Sequence, residues 1–160
     1  MALTMKRLSA CIAAAAVLLG LSAPAAAQEV EVPYWASISV EEVNMRVGPG
    51  TKYPIDWVYR REGLPLKVVR LMQGWRRVQD PDGDEGWIVG VMLTRERTAI
   101  VTGEGVAPML EEPGSGDLRW NVEPGVVGKL GECRENYCLL DVEGHVGWVA
   151  EDRLWGDGEP

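Results

Sequence analysis

Phenylalanine is absent from this 160-residue chain, and histidine occurs once, at His145. Cysteine is limited to Cys11, Cys133 and Cys138, so there is little from which to build a thiol or imidazole nucleophile. No serine stands in the strained strand-to-helix elbow of a Ser-His-Asp hydrolase. Hydrolase activity is therefore not expected, nor any other enzyme activity, and no cofactor motif is present. Beyond the N-terminal stretch that ends at Leu21, no apolar run approaches the roughly 20 residues that span a bilayer, which argues against stable membrane insertion. Sustained 3.6-residue periodicity is also missing after residue 27, so helix is expected only as single turns, after Val89 and Ala150.

The N-terminus has the layout of a secretory signal peptide. Lys6-Arg7 precedes the apolar run Ile12 to Leu21, and Ala23-Pro24-Ala25-Ala26-Ala27 supplies small residues for cleavage after Ala27. Residues 1–27 are thus expected to be removed and the remainder to be periplasmic. Leu8-Ser9-Ala10-Cys11 imitates a lipoprotein box but precedes the hydrophobic stretch instead of following it, so lipidation is not expected. Loss of Lys6 and Arg7 leaves 14 basic and 24 acidic side chains, a net charge of about −10. Such a charge opposes nucleic acid and anionic membrane and leaves basic peptides or protein faces as partners. Arg60-Arg61, Arg70 and Arg76-Arg77 cluster early enough to form a local positive face.

A segment is written twice. Gly86-Trp87-Ile88 with Leu93 returns as Gly147-Trp148-Val149 with Leu154, 61 residues later. A period of that length marks a duplicated β unit. Asp82-Gly83 and Glu143-Gly144 sit at one offset before each tryptophan, where a tight hairpin turn would fall. Two small domains follow, 28–94 and 99–156. The joint Thr94-Arg95-Glu96-Arg97-Thr98 is too short for a free tether, so the halves should pack together.

Strand-forming residues and turn residues alternate closely. Ser37 to Val40, Trp57 to Tyr59, Leu64 to Leu71, Trp75 to Gln79 and Glu85 to Val89 form the first set. Ala99 to Val101, Val126 to Leu130, Tyr137 to Val142 and His145 to Ala150 form the second. The expected class is all-β, as two tandem small barrels, because closure removes edges that a small open sheet would expose.

Cys11 leaves with the leader, and Cys133-Arg-Glu-Asn-Tyr-Cys138 has the spacing to close a hairpin end in an oxidising compartment. Zinc or redox motifs would use a two-residue spacing or more cysteines, so a structural disulfide is expected. Asp80-Pro81-Asp82-Gly83-Asp84-Glu85 faintly resembles a calcium loop, yet places Glu85 where glycine is obligatory; a hairpin turn accounts for it better. Asp141, Glu143 and His145 alternate, but the Glu143-Gly144 turn is expected to separate them, so no metal site is expected.

Seven Trp and four Tyr supply the aromatic surface, each an apolar body with a polar handle. Trp87 and Trp148 follow glycine in the repeat and are expected in the fold. Tyr53, Trp57 and Tyr59 flank the first loop and form a candidate aromatic groove, with Asp56 placed to hold an amine or amide.

Val43-Asn44-Met45-Arg46-Val47-Gly48-Pro49-Gly50-Thr51-Lys52-Tyr53-Pro54 closely resembles the opening signature of bacterial SH3-type domains. Gly74-Trp75 and Gly86-Trp87-Ile88 are similar to that family's closing strands. Ile55 to Pro65, and Cys133 to Cys138 in the second copy, resemble its exported tandem subgroup in Gram-negative bacteria. The resemblance covers about Ser37 to Gly156 and implies two SH3-like barrels that act as binding modules, many of which recognise peptidoglycan peptides. It adds Asn44 and Arg46 to the candidate ligand-binding set of Tyr53, Asp56, Trp57 and Tyr59. Aligning Pro49-Gly50 with Pro113-Gly114 puts Pro108 opposite Asn44 and Leu110 opposite Arg46, so the second copy is expected to support the first. The expected partner is a cell-wall peptide or, alternatively, an envelope protein.

Overall fold

The computed structural model describes residues 30–160, so the expected signal peptide and its expected cleavage site lie outside the described residues. Seven strands form the first sheet: β1 (Tyr34–Ile38), β2 (Val43–Arg46), β3 (Ile55–Tyr59), β4 (Pro65–Met72), β5 (Trp75–Gln79), β6 (Glu85–Val89) and β7 (Leu93–Thr94). Seven more form the second: β8 (Thr98–Val101), β9 (Ala107–Leu110), β10 (Leu118–Val122), β11 (Val127–Arg134), β12 (Tyr137–Val142), β13 (His145–Ala150) and β14 (Leu154–Trp155). The sheet orders are β3-β2-β6-β5-β4-β1-β7 and β10-β9-β13-β12-β11-β8-β14, one topology repeated strand for strand. The duplication legible in one strand extends to the whole unit.

Each sheet encloses its own core, Ile38, Met45, Leu66, Val68 and Ile88 in the first and Val101, Met109, Leu140 and Val149 in the second. The repeated Gly-Trp is explained by these cores. A Cβ at Gly86 would overlap the Met45 side chain, and one at Gly147 would lie 2.8 Å from Met109 Cβ. The glycine admits the core methionine, and the following Trp87 and Trp148 are buried at 8% and 5% exposure.

Several elements differ from expectation. Strand β1 runs Tyr34–Ile38, earlier than Ser37 to Val40, and β2, β9 and β10 arise from segments without strong strand patterning. Pro108 is tolerated in β9 because β9 pairs with β13 only at Leu110, so little hydrogen bonding is lost at that seam. Glu143 and Gly144, at φ 52° and 89°, make the expected two-residue turn between β12 and β13. Asp82-Gly83 does not. Gln79 pairs with Glu85, which leaves the five-residue loop Asp80 to Asp84, closed by a turn in which the Gly83 N–H donates to the Asp80 carbonyl at 3.1 Å and held as well by the Asp80 side chain. The single 3-10 turns fall at Gly90–Met92 and Glu151–Arg153, as expected.

The disulfide joins Cys133 to Cys138, directly paired at the end of β11 and β12 with Cα atoms 4.0 Å apart. Glu135 and Asn136, at φ 54° and 63°, close that hairpin.

The two halves touch directly. Thr98 Oγ1 donates to the Gly63 carbonyl at 2.6 Å, and the Trp35 indole N–H donates to the Gly158 carbonyl at 3.2 Å. Trp35 meets Trp155 edge to face at 4.8 Å, while Ile100 and Val127 of the second half pack on the first core. Arg61 also donates to the Gly125 carbonyl across the interface, while the exposed Lys129–Glu96 pair at 2.7 Å, between the second half and the joint, adds little, as solvent screens it.

Candidate functional site

The loop between β2 and β3 is held from within. Arg46 Nη1 donates to the carbonyls of Tyr53 at 2.7 Å and Thr51 at 3.3 Å, lacing the loop to the strand that precedes it. Gly48 lies under the Tyr53 ring, where a Cβ would stand 2.5 Å from Cδ1. The Gly-Pro-Gly turn therefore exists to seat the tyrosine, and Arg46 locks the far side. Lys52 Nζ lies 5.5 Å from the centroid of the same ring. Asn44 shares the face of β2 that carries Arg46, and both line a small cavity of about 190 Å³ with Glu42, Thr51 and Trp75.

Trp57 belongs elsewhere. At 57% exposure it lines an open cleft of about 790 Å³ between the two halves. Its neighbours there include Arg60, Asp82 and Asp84 from the first half, and Thr102 and Gly103 from the second. Asp56 is exposed and, by strand alternation, stands on the opposite face of β3.

Tyr59 is not an exposed groove aromatic. It is 7% exposed and packs in the first core, and its hydroxyl donates to Asp80 Oδ2 at 2.8 Å. Burial first, and then the Asp80 hydrogen bond and charge, push its phenol well above the ordinary value. Asp80 Oδ1 accepts the backbone N–H groups of Asp82 at 3.0 Å and Asp84 at 2.9 Å. The buried Tyr59–Asp80 pair thus fixes the loop that presents the Asp82 and Asp84 carboxylates to the cleft. The six candidate residues do not converge on one groove: Asn44 and Arg46 face one cavity, Trp57 and the largely buried Tyr59 line another, Tyr53 covers its own loop and Asp56 is apart.

In the second half, Leu110 pairs with Trp148 as Arg46 pairs with Trp87, which places Leu110 opposite Arg46 and Pro108 opposite Asn44. What the sequence did not single out is Trp120. It pairs with Met109 as Trp57 pairs with Met45, and it is 45% exposed. Its ring meets His145 edge to face at 4.6 Å beside a cavity of about 430 Å³. The signal was a Trp-to-Trp spacing of 63, close to the 61-residue period but masked by loops of unequal length. Asp141 and His145 are occupied locally: Asp141 Oδ1 accepts the Gly144 N–H at 2.7 Å, and His145 Nδ1 lies 3.2 Å from the Val142 carbonyl. The one grouping of metal-ligand types among the described residues is Cys133, Cys138 and Glu151, and its sulfurs are already joined in the disulfide.

The bacterial SH3 domain description matches residues 39–90 and 104–156, one match in each sheet. The chain belongs to the bacterial SH3 domain family. Its two SH3 modules are also similar to a protein of Bacillus subtilis (strain 168) whose provisional name is N-acetylmuramoyl-L-alanine amidase YrvJ. The two are 24% identical over 135 residues, 77% of this chain and 26% of that protein. The chain thus spans about a quarter of that relative's length. Among solved structures, NlpC1 from Trichomonas vaginalis aligns with 91% of this chain and 53% of its own, at 14% identity and a TM-score of 0.36. The structure titled Endolysin LysPBC5 CBD aligns with 79% of this chain and 95% of its own, at 17% identity and a TM-score of 0.31. No helix among the described residues is long and apolar enough to cross a membrane.

Proposed function

We propose that this protein is an exported, periplasmic, non-catalytic binding protein that recognises a peptidoglycan-derived peptide of the cell envelope through its first SH3 module. The carrying observation is Trp57, more than half exposed on the wall of a cleft that also holds the carboxylates of Asp82 and Asp84. An indole with its face available attracts ammonium groups and amphipathic chains, and carboxylates beside it favour a ligand bearing an amine. Clefts of this size at the junction of two domains are where small ligands usually bind. Membership of a family used as wall-binding modules, and a relative whose name refers to an amidase of muramoyl-alanine bonds, support the same ligand class.

Sedimentation with purified, protein-free sacculi tests the reading. Co-sedimentation that is weakened by Trp57→Ala is expected, and a wild-type chain that stays in the supernatant would refute wall affinity. A second reading is favoured by one observation: β3 is an edge strand of its sheet and exposes Ile55 at 47% beside Trp57. An extended segment of an envelope protein would then pair with that edge. Capture of a protein partner without sacculus binding would select it.

A further inference from the structure

The cavity beside Trp57 occurs twice. Ladder and loop bonds match its residues one by one with those of the second module. Val43 pairs with Tyr59 as Ala107 pairs with Val122, and Met45 pairs with Trp57 as Met109 pairs with Trp120. Ile38 N–H donates to the Leu64 carbonyl as Val101 N–H donates to the Val126 carbonyl. Trp57, Tyr59 and Leu64 line the first cavity; Trp120, Val122 and Val126 line the second. Two cavities with an exposed indole over a matched floor are one site duplicated with the fold.

They differ in their outer walls. The second module closes the first cavity with Thr102 and Gly103, whereas every residue lining the second cavity comes from the second module itself. Glu123 follows Val122 where Arg60 follows Tyr59, so the second cavity carries a carboxylate in place of a guanidinium. His145 sets its ring edge-to-face with Trp120, which restricts the indole. The loss of Asn44 and Arg46 counterparts at Pro108 and Leu110 does not touch this cavity, because those residues line a different one.

We infer that the Trp120 cavity is a second binding site of the same kind as the Trp57 cleft, and that the chain is a bivalent binder of a repeating, amine-bearing peptide polymer. The inference rests on the proposed function for its ligand class. Charge complementarity commits the occupant: Glu123 stands with Trp120, and Asp82 and Asp84 stand with Trp57, while of the basic residues on that cleft Arg60 is paired with Glu42 and Arg61 donates to the Gly125 carbonyl, so each site suits an ammonium next to an aromatic face. A repeating polymer turns the second contact into an intramolecular one, which raises retention without requiring either site to bind tightly.

The test uses the full chain with two probes, protein-free sacculi and the soluble muropeptides released from them by muramidase. Titration calorimetry with muropeptides is expected to give two equivalents per chain, falling to one in Trp57→Ala or Trp120→Ala and to none in the double variant. Apparent affinity for sacculi is expected to drop on the order of a hundredfold in each single variant as bivalency is lost. Trp120→Tyr, which keeps an aromatic face, should retain part of the binding, and thermal melts establish that all variants fold. One equivalent in the wild type, together with Trp120→Ala binding sacculi as the parent does, would overturn the second site while leaving the first intact. No binding of either probe by the wild type would overturn the proposed function and this inference with it.

Discussion

The Tyr59 hydroxyl donates a 2.8 Å hydrogen bond to the carboxylate of Asp80, and both residues are buried. Through the second oxygen of that carboxylate, a core contact sets the course of the Asp80 to Asp84 loop on the wall of the cleft. Removing the hydroxyl leaves a buried charge without one of its donors. Tyr59→Phe is expected to cost about 1–3 kcal/mol, measured by denaturant unfolding. Faster amide exchange should follow at Asp82 and Asp84.

The same pair gives the protein an alkaline limit. The folded state holds the Tyr59 proton above the pH at which the unfolded chain, near pH 10, releases it. The folded state then binds more protons, and stability must fall as pH rises past about 10, by at most about 1.4 kcal/mol per pH unit. Melting temperature measured from pH 8 to 11 should decline more steeply in the wild type than in Tyr59→Phe. Equal slopes would show that Tyr59 does not control the decline.

The Cys133–Cys138 bridge closes a short loop, for which chain entropy gives about 2 kcal/mol of stabilisation. Intact mass before and after reduction and alkylation checks its presence in natively isolated protein. A lower melting temperature in Cys133→Ser with Cys138→Ser checks its worth.

Gly156 stands where the halves meet, at φ 106°, with a Cβ position 2.7 Å from the Thr98 carbonyl and 3.0 Å from Pro65 Cβ. Backbone lies on one side and the other module on the other, so neither yields cheaply. Gly156→Ala is expected to destabilise the chain by about 1–3 kcal/mol. Because the modules share packing, the whole chain should melt in one transition by calorimetry, with each isolated half less stable.

Trp57 and Trp87 separate binding from folding. Trp57→Ala should weaken sacculus binding by about 3 kcal/mol, on the order of a hundredfold, and leave the melt nearly unchanged. Trp87, at 8% exposure, should cost about 3–5 kcal/mol of stability on truncation. A Trp57→Ala variant that unfolds would place that indole in the core.

The all-β class, the duplication, the disulfide and both 3-10 turns were legible in the chain because each depends on neighbours close in sequence: Gly before Trp, Cys five residues from Cys, alternation along one strand. The short strands β2, β9 and β10 were less so, since their pairing with distant partners outweighs weak local preference. Sequence proximity placed Tyr53, Asp56, Trp57 and Tyr59 in one groove, and the tertiary structure left only Trp57 and Tyr59 on one cleft. Alternation along β3 puts Asp56 and Trp57 on opposite faces, and Tyr59 is buried beneath the cleft that Trp57 lines. Trp120 became a counterpart of Trp57 only through ladder register, which unequal loops conceal from any fixed spacing. Local chemistry determined the units; which side chains share a cavity was decided by register and by one module packing on the other, relations between residues far apart in the chain.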